Sequence, residues 1–314
     1  MKRLPALAAL AASACLALTA CTSASDLKTD DAASSGTSAG TSAEIPSFDV
    51  SGIAKQDDIA AMLPESISSD GKLTIGVSAD YPPAEFLDTS NQPVGYDIDL
   101  SRALAAVLGL EATAQHAEFD SIIPSIGSKY DLGISSFTIT PEREASTEMV
   151  SYISVGSQFN VAKGNPTGLD LSDTLGLCGK TVGVQTGTAQ EEDIQGFNED
   201  CQAAGKDAID IKSYALNSDA TTALAGGTLD AVFSDSTVAG YAQIQTGGAV
   251  ETAGKVFDAA PQGIVIAKGD EATAKAIQAA VQYLMDEGIW NDILTSWGVD
   301  TSQALTTAEI NPAV

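Results

Sequence analysis

Nine residues, Ser135 to Arg143 ("SSFTITPER"), carry four hydroxyl side chains, one proline and one arginine. Thr140 suits a helix N-cap and Pro141 the first helical turn, so the stretch predicts a helix start with free backbone N–H groups. Arg143 falls in that first turn, where a guanidinium can hold a carboxylate through two parallel hydrogen bonds. A second stretch, "VGVQTGTAQEE" from Val182, reads as strand, glycine turn and helix start, again an anion-friendly terminus. It lacks the Gly-Lys-Ser/Thr of a phosphate-binding loop. The chemistry on offer is recognition of a small anion. Nothing points to catalysis: His116, the only histidine, sits in a predicted strand two residues before Glu118, an ordinary half-exposed place. No nucleophile-and-base constellation, metal-ligand spacing or cofactor fingerprint is present, so neither a metal nor a cofactor is expected.

These residues need elements to position them. Short β-like runs alternate with helical patterns, the signature of an α/β architecture. Lys72 to Val77 reads as a strand. Asp97 to Leu108 reads as a helix, with Leu100, Ala103, Leu104, Val107 and Leu108 on one face and Gly109 as its C-cap. "EATAQHAEF" reads as a strand, "DSIIPSIG" as a short helix and "YDLGISS" as a strand, and helical signal returns at Ile277, Val281, Leu284 and Met285 and again from Trp290 to Trp297. Segments of the first half recur in the second: "GKLTIGV" at Gly71 with "GKTVGV" at Gly179, and "YDLGISS" at Tyr130 with "LDAVFSD" at Leu229. The matching order predicts two α/β lobes of similar plan. "QFNVAKGN" and "QGIVIAKGD" are the expected strands by which the chain enters and leaves the second lobe, a double crossover that makes the cleft a hinge-closing trap. The expected division is 71–156 plus 264–300 for lobe 1, 157–263 for lobe 2, and 301–314 as a C-terminal tail.

The flanks bound where such a body works. Residues 1–20 combine Lys2 and Arg3 with an apolar run, as an export signal does. The run ends in Leu18-Thr19-Ala20-Cys21, which resembles the bacterial lipobox and makes Cys21 a candidate for lipidation. Residues 21–47 are rich in Ser, Thr, Ala and Gly and read as a flexible tether, followed by a short lead-in at 48–70. Cys178 and Cys201 then remain, and an exported chain can pair them or leave both as buried thiols. The formal charge of −27 excludes nucleic-acid binding, which needs basic stripes. It does not argue for a cationic ligand, because net charge governs solubility and steering rather than one pocket.

From about Gly71 to Gly298 the ordered set "IGVSADYPPAEF", "VGYDIDLSRALAAVLG", "EFDSIIPSI", "YDLGISSFTITPERE", "VGVQTGTAQE", "LDAVFSD" and "DEGIWNDILTSWG" resembles the family 3 extracellular solute-binding proteins of polar amino-acid ABC transporters. The resemblance implies a two-lobed periplasmic-binding-protein-like fold (type II) with a two-strand hinge and a central ligand cleft. It implies that Arg143 clamps a ligand α-carboxylate with Thr138 and Ser136 adding donors, and that Thr188 contacts the same carboxylate from the other lobe. Asp235 would face the ammonium, with Ser135 and Ser136 as further acceptors, while Tyr81 and Phe119 sandwich the aliphatic part. Ser78 and Gln185 would line the side-chain pocket. Departures fall there: Ser78 stands where cation-binding relatives often carry an acid, with Asp80 two residues on, and Ala84 replaces the usual aromatic. Glu85 occurs in relatives of differing specificity. The implied ligand is a free L-amino acid, polar or cationic. The implied partners are a membrane permease and an ATPase, with a monomeric chain anchored through Cys21. A same-fold exported dehydratase-like enzyme and an amino-acid sensor without transport are the alternatives.

Overall fold

Lys72–Val77, strand β1, buries Leu73, Ile75 and Val77 completely, and in the computed structural model, which describes residues 45–257 and 259–313, it is the anchor of the first sheet. It pairs in parallel with β5 (Glu111–His116) and β6 (Leu132–Gly133). Antiparallel β13 (Ala260–Ala267) and β7 (Thr147–Val155) complete the order β5-β1-β6-β13-β7. Helices α3 (Tyr96–Leu108), α9 (Glu271–Asp286) and α10 (Ile289–Ser296) cover the sheet, and Leu100, Leu104, Ile277, Val281, Leu284 and Trp290 share one core with the strands. Apolar residues three and four apart make those faces, so burial rather than propensity holds them.

A second sheet repeats the plan with β8 (Ser157–Ala162), β9 (Thr181–Gln185), β10 (Asp210–Tyr214), β11 (Ala231–Asp235) and β12 (Val250–Ala253), in the order β10-β9-β11-β8-β12. Around it lie α6 (Ala189–Ala203), α7 (Asn217–Ala225) and α8 (Ser236–Gln245). Phe159 stacks on Phe233 at 4.1 Å in its core. The Cys178–Cys201 disulfide ties the start of this lobe to α6. The sequence separation of 23 between the two cysteines gives a cross-link worth about 3 kcal/mol in the chain-entropy model.

The chain crosses between sheets twice, at Gly156 and again before Ala260, and the two crossings touch: Phe257 N donates to Ser157 O at 2.7 Å. A Cβ on Gly156 would stand 2.3 Å from Phe257 O, so glycine is what lets them run side by side. Small elements complete the first lobe: α1 (Asp57–Ala60), α2 (Glu65–Ser68), and a three-stranded ribbon of β2 (Asp80–Tyr81), β3 (Glu85–Leu87) and β4 (Pro93–Val94). Phe48 N donates to Asp99 Oδ2, pinning the lead-in to α3. The tail is packed too. Ala304 and Ile310 bridge to Ile153 and Val150 along the outer edge of β7, covering what would be an open edge strand.

Two elements are shorter than the sequence pattern suggests. The strand "EATAQHAEF" stops at His116, and Phe119 opens the helical turn α4 (Phe119–Ile122). Of "YDLGISS" only Leu132 and Gly133 pair in the sheet, because the serines beyond turn to buried carboxyls instead. The export signal, Cys21 and nearly all of the tether lie outside the described residues. No described helix is long and apolar enough to cross a membrane.

Candidate functional site

Arg143 reaches the cleft because α5 (Pro141–Ser146) starts where the sequence says it should: Thr140 Oγ1 accepts a hydrogen bond from Arg143 N at 3.3 Å. With six residues α5 sums little dipole, so the positive potential here is the guanidinium. Nη1 donates to Thr138 O at 2.6 Å and Nη2 to Gly187 O of the second lobe at 3.0 Å. Its carbon lies 5.6 Å from the ring centres of both Phe119 and Phe137. Among the described residues no carboxylate comes within ion-pair distance of it. Burial lowers its pKa, offset by the more distant Glu192 and Asp235.

Asp235 ends β11 from the other side and is buried. Its Oδ1 accepts from Gln190 Nε2 at 2.8 Å and its Oδ2 from Gln262 Nε2 at 2.6 Å. Burial pushes its carboxyl pKa up to about 7, against the pull of those two amides, and Asp97 adds to the rise. No cation pairs with it among the described residues. An anion without a cation and a cation without an anion thus face one narrow space, with a cavity volume of only about 10 Å³ in this closed form. Each is a charge with an unmet demand.

Tyr81, Phe119, Ser136, Thr138, Gln185 and Thr188 line the same space, so eight of the ten expected ligand residues, with Arg143 and Asp235, converge there. Phe119 is held by stacking on Phe137 at 4.6 Å. Thr188 caps α6, accepting from Glu191 N at 3.2 Å and donating to Gln185 O at 2.7 Å. The other two expected residues sit behind the wall. Ser135 Oγ donates to Glu85 Oε1 at 2.6 Å and accepts from Ser78 N at 2.9 Å. Ser78 Oγ donates to Asp80 Oδ1 and accepts from Gln185 Nε2 across the lobes. Asp80 thus sits behind Ser78 and Gln185, its pKa raised by burial. His116 is exposed and its Nδ1 accepts from Ala79 N, a structural bond.

Sequence reasoning missed four buried residues: Gln190 and Gln262, which hold Asp235, and Glu85 and Asp97, which hold the two serines. One signal was available. Asp97 shares the buried face of α3 with Leu100, Ser101 and Leu104, where a carboxylate has no business without partners.

The lobes are closed on each other. Tyr81 Oη accepts from Asp235 N at 2.9 Å, Ser218 N donates to Asp80 Oδ2 at 3.4 Å, and Gln185 reaches Ser78. A larger groove of about 450 Å³ along Pro83, Tyr241, Ile244 and Trp297 lacks the paired charges; Asp300 is its one charged lining residue. Among the described residues no cluster of His, Cys, Asp or Glu could hold a metal ion.

Residues 73–300 match the model of the bacterial extracellular solute-binding proteins, family 3. The chain belongs to this family. The match contains every residue of the family 3 protein that lines the cavity, from Tyr81 to Asp235. Arginine-binding protein ArgT of Corynebacterium glutamicum is 36% identical over 245 residues, 77% of this chain and 79% of that protein. ABC transporter arginine-binding protein 1 of Escherichia coli is 32% identical over 236 residues, 72% of this chain and 90% of that one. Among solved structures, an ancestral arginine-binding protein bound to arginine superposes with a TM-score of 0.66 at 32% identity, covering 72% of this chain and 98% of its own.

Proposed function

We propose that this family 3 protein binds a free L-amino acid with a cationic side chain, arginine first among them, and delivers it to the permease of an ABC importer. The carrying observation is the pair of unmatched charges in one cavity, the half-buried Arg143 and the buried Asp235. An α-amino acid is the small molecule whose carboxylate and ammonium satisfy both at once, and each charge-assisted contact is worth about 1.5–3 kcal/mol. Tyr81 and Phe119 supply the apolar walls that keep water away from those contacts. Gln185 lines the cavity and bonds to Ser78, which in turn bonds to Asp80, so an acid stands one residue behind the wall for a cationic side chain to approach as the cleft opens. The names of the relatives support arginine over neutral ligands. Cys21, lipidated after removal of residues 1–20, would hold the closed body outside the membrane on its tether.

Isothermal titration with the standard L-amino acids tests the reading. Arginine is expected to bind tightest, and Arg143→Ala to weaken it at least about 100-fold, the cost of leaving a carboxylate unpaired in a buried site. Binding of no amino acid, or an unchanged affinity in Arg143→Ala, would overturn it. Cys21→Ser tests the anchor: the protein is expected to leave the membrane fraction for the medium.

A further inference from the structure

In the cavity wall, Ser136 adopts a left-handed backbone with φ 50°, a region that non-glycine residues occupy only when their surroundings hold them there. What holds it is Asp97. Oδ2 of Asp97 accepts from Ser136 N at 2.8 Å, from Ser136 Oγ at 3.1 Å and from Tyr152 Oη at 3.0 Å. One residue earlier, Ser135 is fixed in the same way by Oε1 of Glu85. The remaining oxygens of these carboxyls, Asp97 Oδ1 and Glu85 Oε2, are buried and find no donor in any other residue. Asp97 N donates to Ala84 O at 3.0 Å, which brings the Asp97 and Glu85 side chains together, and the two carboxyls interact with each other. Two carboxylates cannot meet oxygen to oxygen in a dry interior unless a proton lies between them.

We propose that Glu85 and Asp97 share one proton, Glu85 Oε2–H donating to Asp97 Oδ1, and that this protonated pair is the positioning device that fixes Ser135 behind the wall and presents Ser136 to the binding cavity. The pair carries one negative charge rather than two, and all four of its oxygens are then matched. Burial raises both groups, Asp97 to about 6 and Glu85 well above its ordinary value, so one proton remains at neutral pH. The other titratable groups around the pair give no cation to replace that proton: Asp80 and Tyr81 from β2, Tyr96 from α3, Tyr152 from β7 and Asp235 from β11. Loss of the proton puts two charges in contact, and the strained Ser136 is where the lattice gives way. Affinity for the ligand is therefore expected to fall at alkaline pH for a reason that has nothing to do with Arg143 or Asp235.

The consequence for ligand binding rests on the amino-acid reading above; the shared proton does not. Two measurements separate them. In an Asp235→Asn background, which removes the other carboxyl titrating near neutral pH, the infrared spectrum of the unliganded protein at about pH 7 is expected to show a protonated-carboxyl stretch that Glu85→Gln removes, since an amide donates the same bond without titrating. Arginine titrations from about pH 7 to about pH 9 are then compared between wild type, Glu85→Gln and Glu85→Leu. The ligand ammonium titrates alike in all three, so the difference between proteins is the readout. Wild type is expected to lose about tenfold more affinity than Glu85→Gln over that range, a gap of one pKa unit in linkage. Glu85→Leu, which cannot donate, is expected to bind weakly throughout, and Glu85→Gln to rescue most of that loss. A missing carboxyl band, or parallel pH profiles in wild type and Glu85→Gln, would overturn the proposal. If arginine fails to bind while the band is present and lost in Glu85→Gln, the ligand assignment falls and the shared proton stands.

Discussion

Asp235 is a carboxyl poised between two states. Its pKa of about 7 comes first from burial, and the ordinary value for the group is 3.8. A carboxyl raised on folding binds its proton more tightly in the native protein than in the unfolded chain. Its contribution to stability is thus fully present below about pH 4 and is lost as pH rises through about 7. Asp235→Asn removes that loss. At about pH 8 the unliganded variant is expected to be more stable than wild type, by at most about 4 kcal/mol for a shift of roughly three units, as thermal denaturation would record. The orphan Gln262 Oε1 can turn to accept from the new amide, so the local bonds survive. Arginine affinity moves the other way, falling by about 100-fold, because an ammonium then meets a neutral group. In wild type the affinity is expected to rise between about pH 6 and pH 8, as the carboxylate form that matches the ammonium fills.

At the scale of elements, the turn from β9 into α6 packs directly against the first lobe. Gly187 has φ 77°, and a Cβ there would sit 2.9 Å from Asp120 Cβ in the first lobe. Gly187→Ala meets two penalties, the left-handed backbone at about 1 kcal/mol and a contact that exists only when the cleft is shut. The variant is expected to fold, to bind arginine at least about tenfold more weakly, and to show a larger radius of gyration than wild type in small-angle scattering. How far such elements were readable depended on what made them. Thr140-Pro141 and the apolar face of α3 are local signals, and both elements form where those residues place them. Ser135 and Ser136 looked like strand ends aimed at a ligand, yet their first partners are Glu85 and Asp97, 50 and 39 residues away. Gln190 and Gln262 carry no pattern at all: a single amide acquires meaning only when α6 and β13 bring it to Asp235. Pairwise burial of polar groups is written in tertiary structure, and periodicity is blind to it.

For the whole molecule, the interior and the surface make separable demands on pH. Burial raises Asp80, Glu85, Asp97, Asp99 and Asp235 together; Asp99 pairs with Arg102 at 3.0 Å, and Arg143 acts on Asp235 from a distance. By the same sign as for Asp235 alone, each raised carboxyl stabilises the fold less as pH climbs from about 4 through its native value. The melting temperature of the unliganded protein is therefore expected to fall from about pH 5 to about pH 8. Saturating arginine should flatten that slope, because its ammonium matches the ionised Asp235. A formal charge of −27 would also destabilise the compact state as its carboxylates ionise, and would give a slope of the same sign. Salt distinguishes the two. At about 1 M the screening length is about 3 Å, so repulsion across the surface is suppressed while charges sealed from solvent are screened far less. The pH slope is expected to persist in high salt with its intercept raised. A slope that vanished there would assign the effect to the surface, and the buried carboxyls would have to be matched more fully than their partners in the fold allow.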